Sequence, residues 1–94
     1  MINSRDQYKI IFDKIKQIIV ENDPPALIRG GAPLDEYDSI INKVISRIQN
    51  LGEEKKIAET IYSVFRIDLG ENIGNKNQYF EIARKIKQFF PDGI

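Results

Sequence analysis

Apolar side chains recur at helical spacing in four separate stretches of this chain, and that pattern constrains the fold more than anything else in the sequence. In the first stretch Tyr8, Ile11, Phe12, Ile15, Ile18 and Ile19 fall at the i, i+3, i+4, i+7 positions that line one side of a helix. The spacing predicts a helix from about Asp6 to Glu21. Ser4 followed by Gln7 reads as its capping box, and Asn22-Asp23-Pro24-Pro25 ends it, because proline has no N–H and restricts the residue before it. The cleanest stripe is the second: Tyr37, Ile40, Ile41, Val44, Ile45, Ile48 and Leu51 predict a helix from Asp35 or Tyr37 to Asn50, with Gly52 suited to the left-handed position after it. A third helix is predicted over about Glu53 to Leu69, with Ile57, Ala58, Ile61, Val64 and Phe65 inward. A fourth follows over about Lys76 to Phe90. Asn75 and Gln78 repeat the cap, Tyr79, Ile82, Ala83, Ile86 and Phe90 form the stripe, and Pro91 stops it.

No stretch alternates cleanly over strand length, so periodicity outvotes the β propensity of the isoleucines. The expectation is an all-α fold, a small four-helix bundle with a long Pro/Gly-rich loop between helices 1 and 2. At 94 residues, 41% of them hydrophobic, residues 1–94 make a single helical domain with one core. The long connection is NDPPALIRGGAPLDE, residues 22–36. Within it Pro25 to Arg29 suits one helical turn ended by Gly30-Gly31, with Leu27 and Ile28 plugging the end of the bundle. Ile10, Ile67 and Phe80 fall off their stripes; they widen the core, mark a partner surface, or are ordinary exposed apolar residues.

Composition excludes most chemistry. The chain has no Cys and no His, which removes a thiol nucleophile, an imidazole base and the usual zinc ligands. Gly30-Gly31 lacks the surrounding pattern of a dinucleotide or phosphate loop, and no carboxylate run has the spacing of a calcium loop. No hydroxyl has a recognisable activating base. The reading is therefore not an enzyme, with no cofactor and no metal. The first residues, Met1 to Asp6, lack the features of a signal peptide, and no apolar run reaches membrane-spanning length. With disulfides impossible, the expected compartment is cytoplasmic.

Lys+Arg and Asp+Glu both number 14, so no net charge drives binding to nucleic acid or to a membrane. The basic residues of the last helix, Lys76, Arg84, Lys85 and Lys87, have Glu81 among them and read as a solvated face. Acidic charge gathers in the centre of the sequence, where residues 34–72 carry five basic groups against eight acidic ones. It is densest at Asp35-Glu36-Tyr37-Asp38, with Glu53-Glu54 further on. Carboxylates in a helix's first turn are favoured by its positive end, so Asp35 or Asp38 suits an N-cap. The functional reading is an acidic knob beside an aromatic ring: Asp35, Glu36, Tyr37 and Asp38 as the contact set for a protein partner, with Glu53 and Glu54 as rim charges.

The stretch Asp23-Pro24, Leu27, Gly31-Ala32-Pro33 and Asp35-Glu36-Tyr37-Asp38 resembles a signature of the YugE-like family of small bacterial helical proteins. The resemblance implies an all-α fold and no known activity. By size and by its acidic, chemistry-free character the chain is also similar to immunity proteins of bacterial toxin systems, including those of contact-dependent inhibition. The leading expectation is a non-enzymatic binding module that neutralises a basic toxin nuclease; the alternative is a housekeeping protein, a scaffold that associates with itself as a homo-dimer.

Overall fold

The computed structural model describes residues 4–94, and over these the chain is all-helical. The signal-peptide reading at Met1, Ile2 and Asn3 lies outside the described residues. Four helices follow in order: α1 Arg5–Asn22, α2 Asp38–Ile48, α3 Glu54–Leu69 and α4 Lys76–Phe89. They form a closed ring. Each helix packs on its sequence neighbours, α4 returns to α1, and the backbones of the diagonal pairs, α1 with α3 and α2 with α4, stay further apart. The seam between α3 and α4 is the most extensive. Among the described residues no helix is long and apolar enough to cross a membrane.

The stripes form the core. Ile15, Ile19, Ile41, Ile45, Ile61 and Ile82 are fully buried, with Phe65 and Tyr79 among them. β-Branched residues are mediocre helix formers, so these helices owe their stability to burying one face rather than to propensity. Three core residues lie outside any helix: Tyr37, just before α2, Ile73, between α3 and α4, and Ile94. Tyr37 extends the stripe of α2, but Ile73 and Ile94 belong to no periodic stretch and spacing alone does not mark them. Ile10, Ile67 and Phe80 are exposed and do not widen the core.

Chain ends of the helices follow local chemistry. Ser4 Oγ accepts from the Gln7 N–H at 3.1 Å and starts α1. Asn75 and Gln78 form a complete capping box at α4, where each side chain accepts from the other's backbone N–H. At α2 the structure corrects the expectation. The helix begins at Asp38, its N-cap is Tyr37, and neither Asp35 nor Asp38 caps it through a side chain. The left-handed residue after α2 is Asn50, at φ 69°, rather than Gly52. Asparagine tolerates that region because its short amide offsets the steric cost locally.

The core predicts its own sensitivity. Ile61→Ala, which leaves a cavity at a position with no exposed surface, lowers unfolding free energy by about 2–5 kcal/mol in urea titrations. Ile67→Ala, on the outside of the same helix, changes it by less than about 0.5 kcal/mol.

Candidate functional site

Residues 23–37 carry the sequence between α1 and α2, and they are organised from inside by one carboxylate. Asp23 ends α1 in the left-handed conformation, φ 48° and ψ 56°, with its N–H bonded to the Ile19 carbonyl at 2.7 Å. This turns its side chain under the segment that follows. The side chain is buried, and it is the one buried charged residue among those described. Burial of an ion is tolerated only when donors replace water. Here Oδ1 accepts from the Tyr37 hydroxyl at 2.5 Å and from the Ile28 N–H at 3.1 Å, and Oδ2 accepts from the Arg29 N–H at 2.9 Å. The Arg29 guanidinium stands 3.8 Å from Oδ2 and donates to the Asn22 carbonyl.

The two backbone donors open a single helical turn, in which the Gly30 N–H reaches the Ala26 carbonyl. Asp23 thus acts on this turn as a capping carboxylate acts on a full helix. The turn closes with paired bonds, Ala32 N–H to Leu27 C=O and Gly31 N–H to Ile28 C=O, which is a Schellman arrangement. Gly31 supplies its left-handed residue at φ 105°. Leu27 and Ile28 pack partly buried against the core.

Tyr37 is the other half of this device. It is fully buried, its ring lies 5.7 Å from that of Phe65, and its hydroxyl reaches Asp23 fourteen residues earlier. The aromatic residue expected at the partner surface is therefore an internal strut. Position decides this: as the residue just before Asp38 it continues the buried stripe of α2. Burial, and then the hydrogen bond to Asp23, push its hydroxyl well above the usual tyrosine range, so it stays a donor. Burial pushes the Asp23 carboxyl up, but the Tyr37 hydroxyl, the Arg29 and Ile28 amides and the Arg29 charge outweigh it and hold the group below the usual aspartate range.

The α3–α4 connection braces the same corner. Gly74, at φ 81°, lies so close to the Pro24 carbonyl that a Cβ there would stand 2.7 Å from the oxygen. Gln78 Nε2 reaches Asn22 Oδ1 at 3.5 Å.

Outside this scaffold stands the loop tip. Leu34 is 62% exposed, and Asp35 and Glu36 beside it are exposed, with no ion pair or hydrogen bond to their carboxylates among the described residues. Their backbone is held by turns, Glu36 N–H to Pro33 C=O at 3.0 Å and Asp38 N–H to Asp35 C=O at 3.1 Å. Asp38 differs: Lys16 Nζ stands 2.9 Å from its Oδ1, a contact of charges without hydrogen-bond geometry. Glu53 and Glu54 are exposed at the far end of α2, whose 11 residues place them about 16 Å away. Glu54 also acts electrostatically on Arg84, which pairs with Glu81. The structure thus brings Leu34, Asp35 and Glu36 together, ties Asp38 to α1, buries Tyr37 and separates Glu53 and Glu54. Sequence reasoning missed Asp23 and Leu34. An aspartate before two prolines was the available signal, but its partner lies too far along the chain for any local pattern to show.

The buried contact sets the pH response. A carboxyl held below its unfolded value contributes stability that is present above about pH 4 and is lost as pH falls through the folded value. Asp23→Asn, which keeps the left-handed residue and removes the charge, costs about 2–4 kcal/mol at neutral pH and flattens the acid limb of stability against pH. Tyr37→Phe costs about 1.5–3 kcal/mol. Arg29→Ala, which leaves the backbone donor in place on an exposed residue, costs less than about 1 kcal/mol.

No family model, curated protein or solved structure matches this chain.

Proposed function

We propose that this chain is a non-enzymatic protein-binding module whose Leu34-Asp35-Glu36 tip docks on a basic partner. The reading extends to the partner's class: a toxin nuclease domain that the chain neutralises as an immunity protein, of the contact-dependent inhibition type. One observation carries it. An exposed leucine followed by two carboxylates with no partner among the described residues sits on backbone fixed from beneath by Asp23 and Tyr37. Holding a contact loop in one shape before binding lowers the ordering cost of association, which is where a rigid tip gains affinity. Leucine supplies apolar area, and the carboxylates steer toward positive charge. Nuclease substrate faces are basic because they bind phosphates, so an acidic plug both recognises and blocks them.

Two further points support the reading. The buried ionisable groups Asp23, Tyr37 and Tyr79 each have a structural duty, the last through a 2.6 Å bond from its hydroxyl to the Ile73 carbonyl. The Pro/Gly-rich connection and the resemblance of residues 23–38 to the YugE-like signature fit a loop selected for one shape. Glu53 and Glu54 serve as distant rim charges, and Tyr37 acts by holding the tip rather than by touching the partner.

Titration against the product of a neighbouring toxin-like gene tests this. The expected result is a complex whose association slows with added salt, and protection of cells on co-expression. The double variant Asp35→Asn, Glu36→Gln slows association about tenfold or more at low salt, whereas Leu34→Ala mainly speeds dissociation. Absence of a complex at micromolar concentration, together with no protection, contradicts the proposal.

A second reading, self-association, is favoured by exposed Ile10 and Phe89 beside half-buried Phe90, where α1 meets α4. Sedimentation of the wild type as a dimer, and of Ile10→Asp as a monomer, would select it.

A further inference from the structure

A cleft of about 320 Å³ opens between α3 and α4, lined by none of the loop-tip residues. From α3 it takes Ala58, Glu59 and Tyr62, and from α4 Lys76, Tyr79 and Phe80. Ala58 is buried, and its small side chain leaves space where the larger residues of the same stripe would fill it. That volume lies at the small end of ligand sites, which run to about 300–1,000 Å³, and suits one flat ring system.

The walls are aromatic and fixed. Tyr62 meets Tyr79 edge to face, with centroids 5.3 Å apart, and Tyr79 meets Phe65 in the same way. The Tyr79 hydroxyl is tied to the Ile73 carbonyl, so the ring behind Tyr62 is held in place. Phe80, on the opposing helix, is 38% exposed, off the packing stripe of α4 and not required by the core. Two rings are thus presented at a gap that the fold leaves open.

Lys76 gives the cleft its polarity. Its ammonium has no carboxylate within ion-pair distance among the described residues and rests 5.4 Å from the Tyr62 ring centroid. A lysine in the first turn of a helix opposes the helix dipole, so it contributes little to folding there. The Asn75 and Gln78 N–H groups at this helix start are engaged in the capping box, and the Lys76 ammonium is the cationic group in the cleft lining. Glu59 on the rim adds one negative charge, which disfavours ligands with more than one.

From this geometry we infer that the α3–α4 cleft binds a small planar aromatic monocarboxylate, its ring against Tyr62 and Phe80 and its carboxylate paired with Lys76. The ring gains stacking and apolar contact, and the lysine exchanges a cation–π contact for a charge-assisted hydrogen bond. This site is independent of the loop tip and of any protein partner.

Proton–nitrogen correlation spectra of the full chain, titrated with indole-3-acetate and separately with its uncharged amide, test the inference. The acid is expected to bind at millimolar or lower concentration and to shift resonances of Ala58, Tyr62 and Phe80. The amide is expected to bind at least about tenfold more weakly. Lys76→Gln reduces the preference for the acid to near unity, and Phe80→Ala weakens acid and amide alike. Both substitutions are at positions outside the core, and melting curves verify that the fold survives. Equal shifts from acid and amide overturn the role of Lys76. No shifts at the cleft, or shifts elsewhere only, overturn the site.

Discussion

A carboxylate out of water is the constraint around which one end of this molecule is arranged. Asp23 has no solvent to satisfy it, so the chain must bring donors to it, and all three hydrogen-bond donors to its carboxylate come from residues 28–37. Each is otherwise free to move with the connection between α1 and α2. Together they fold it back over the end of the ring. Removing any one donor leaves the ion under-solvated, which makes the set more cooperative than a group of surface contacts of equal number. Net stability from such an arrangement is modest; its larger effect is on which shape the segment adopts.

That arrangement divides the connection into an inside and an outside. Asp23, Leu27, Ile28 and Tyr37 face the core, and the backbone turns through left-handed residues at Asp23, Ala26 and Gly31. Leu34, Asp35 and Glu36 are left on the far side, held by backbone turns rather than by side-chain contacts. Their exposure is a consequence of the fold, yet their chemistry is not required by it. Replacing them costs the scaffold little, so what they present to another molecule can vary while the shape stays constant. The α3–α4 cleft follows a similar logic. Tyr79 and Ile73 hold the interior, and Tyr62 and Phe80 stand at its edge.

The helices and their inward faces were legible in the sequence because each rests on local information. Ile40, Ile41, Val44, Ile45 and Ile48 announce their shared face through spacing alone, and Asn75 with Gln78 through a cap three residues long. In sequence Tyr37 fits both the α2 stripe and a surface anchor; packing against Phe65 and the bond to Asp23 decide for the stripe. The acidic cluster is visible as composition, but composition does not tell Asp35 and Glu36, which have no partner among the described residues, from Asp38 of α2, which meets Lys16 of α1. Ile73 and Gly74 escaped notice because their reason for being there is a neighbour distant in sequence: Tyr79 bonds the carbonyl of one, and Pro24 crowds the other. Local pattern thus specifies the elements, while pairings of high sequence separation specify the site.

The amide hydrogens of Ile28 and Arg29 report most directly on whether the buried carboxylate organises this end of the molecule. Both donate to Asp23, and neither belongs to one of the four helices. If the account holds, native-state hydrogen exchange finds these two amides protected to within about an order of magnitude of Val44 and Ile45 in α2. Exchange at the rate of an open, solvated loop, with α2 still protected, would contradict it.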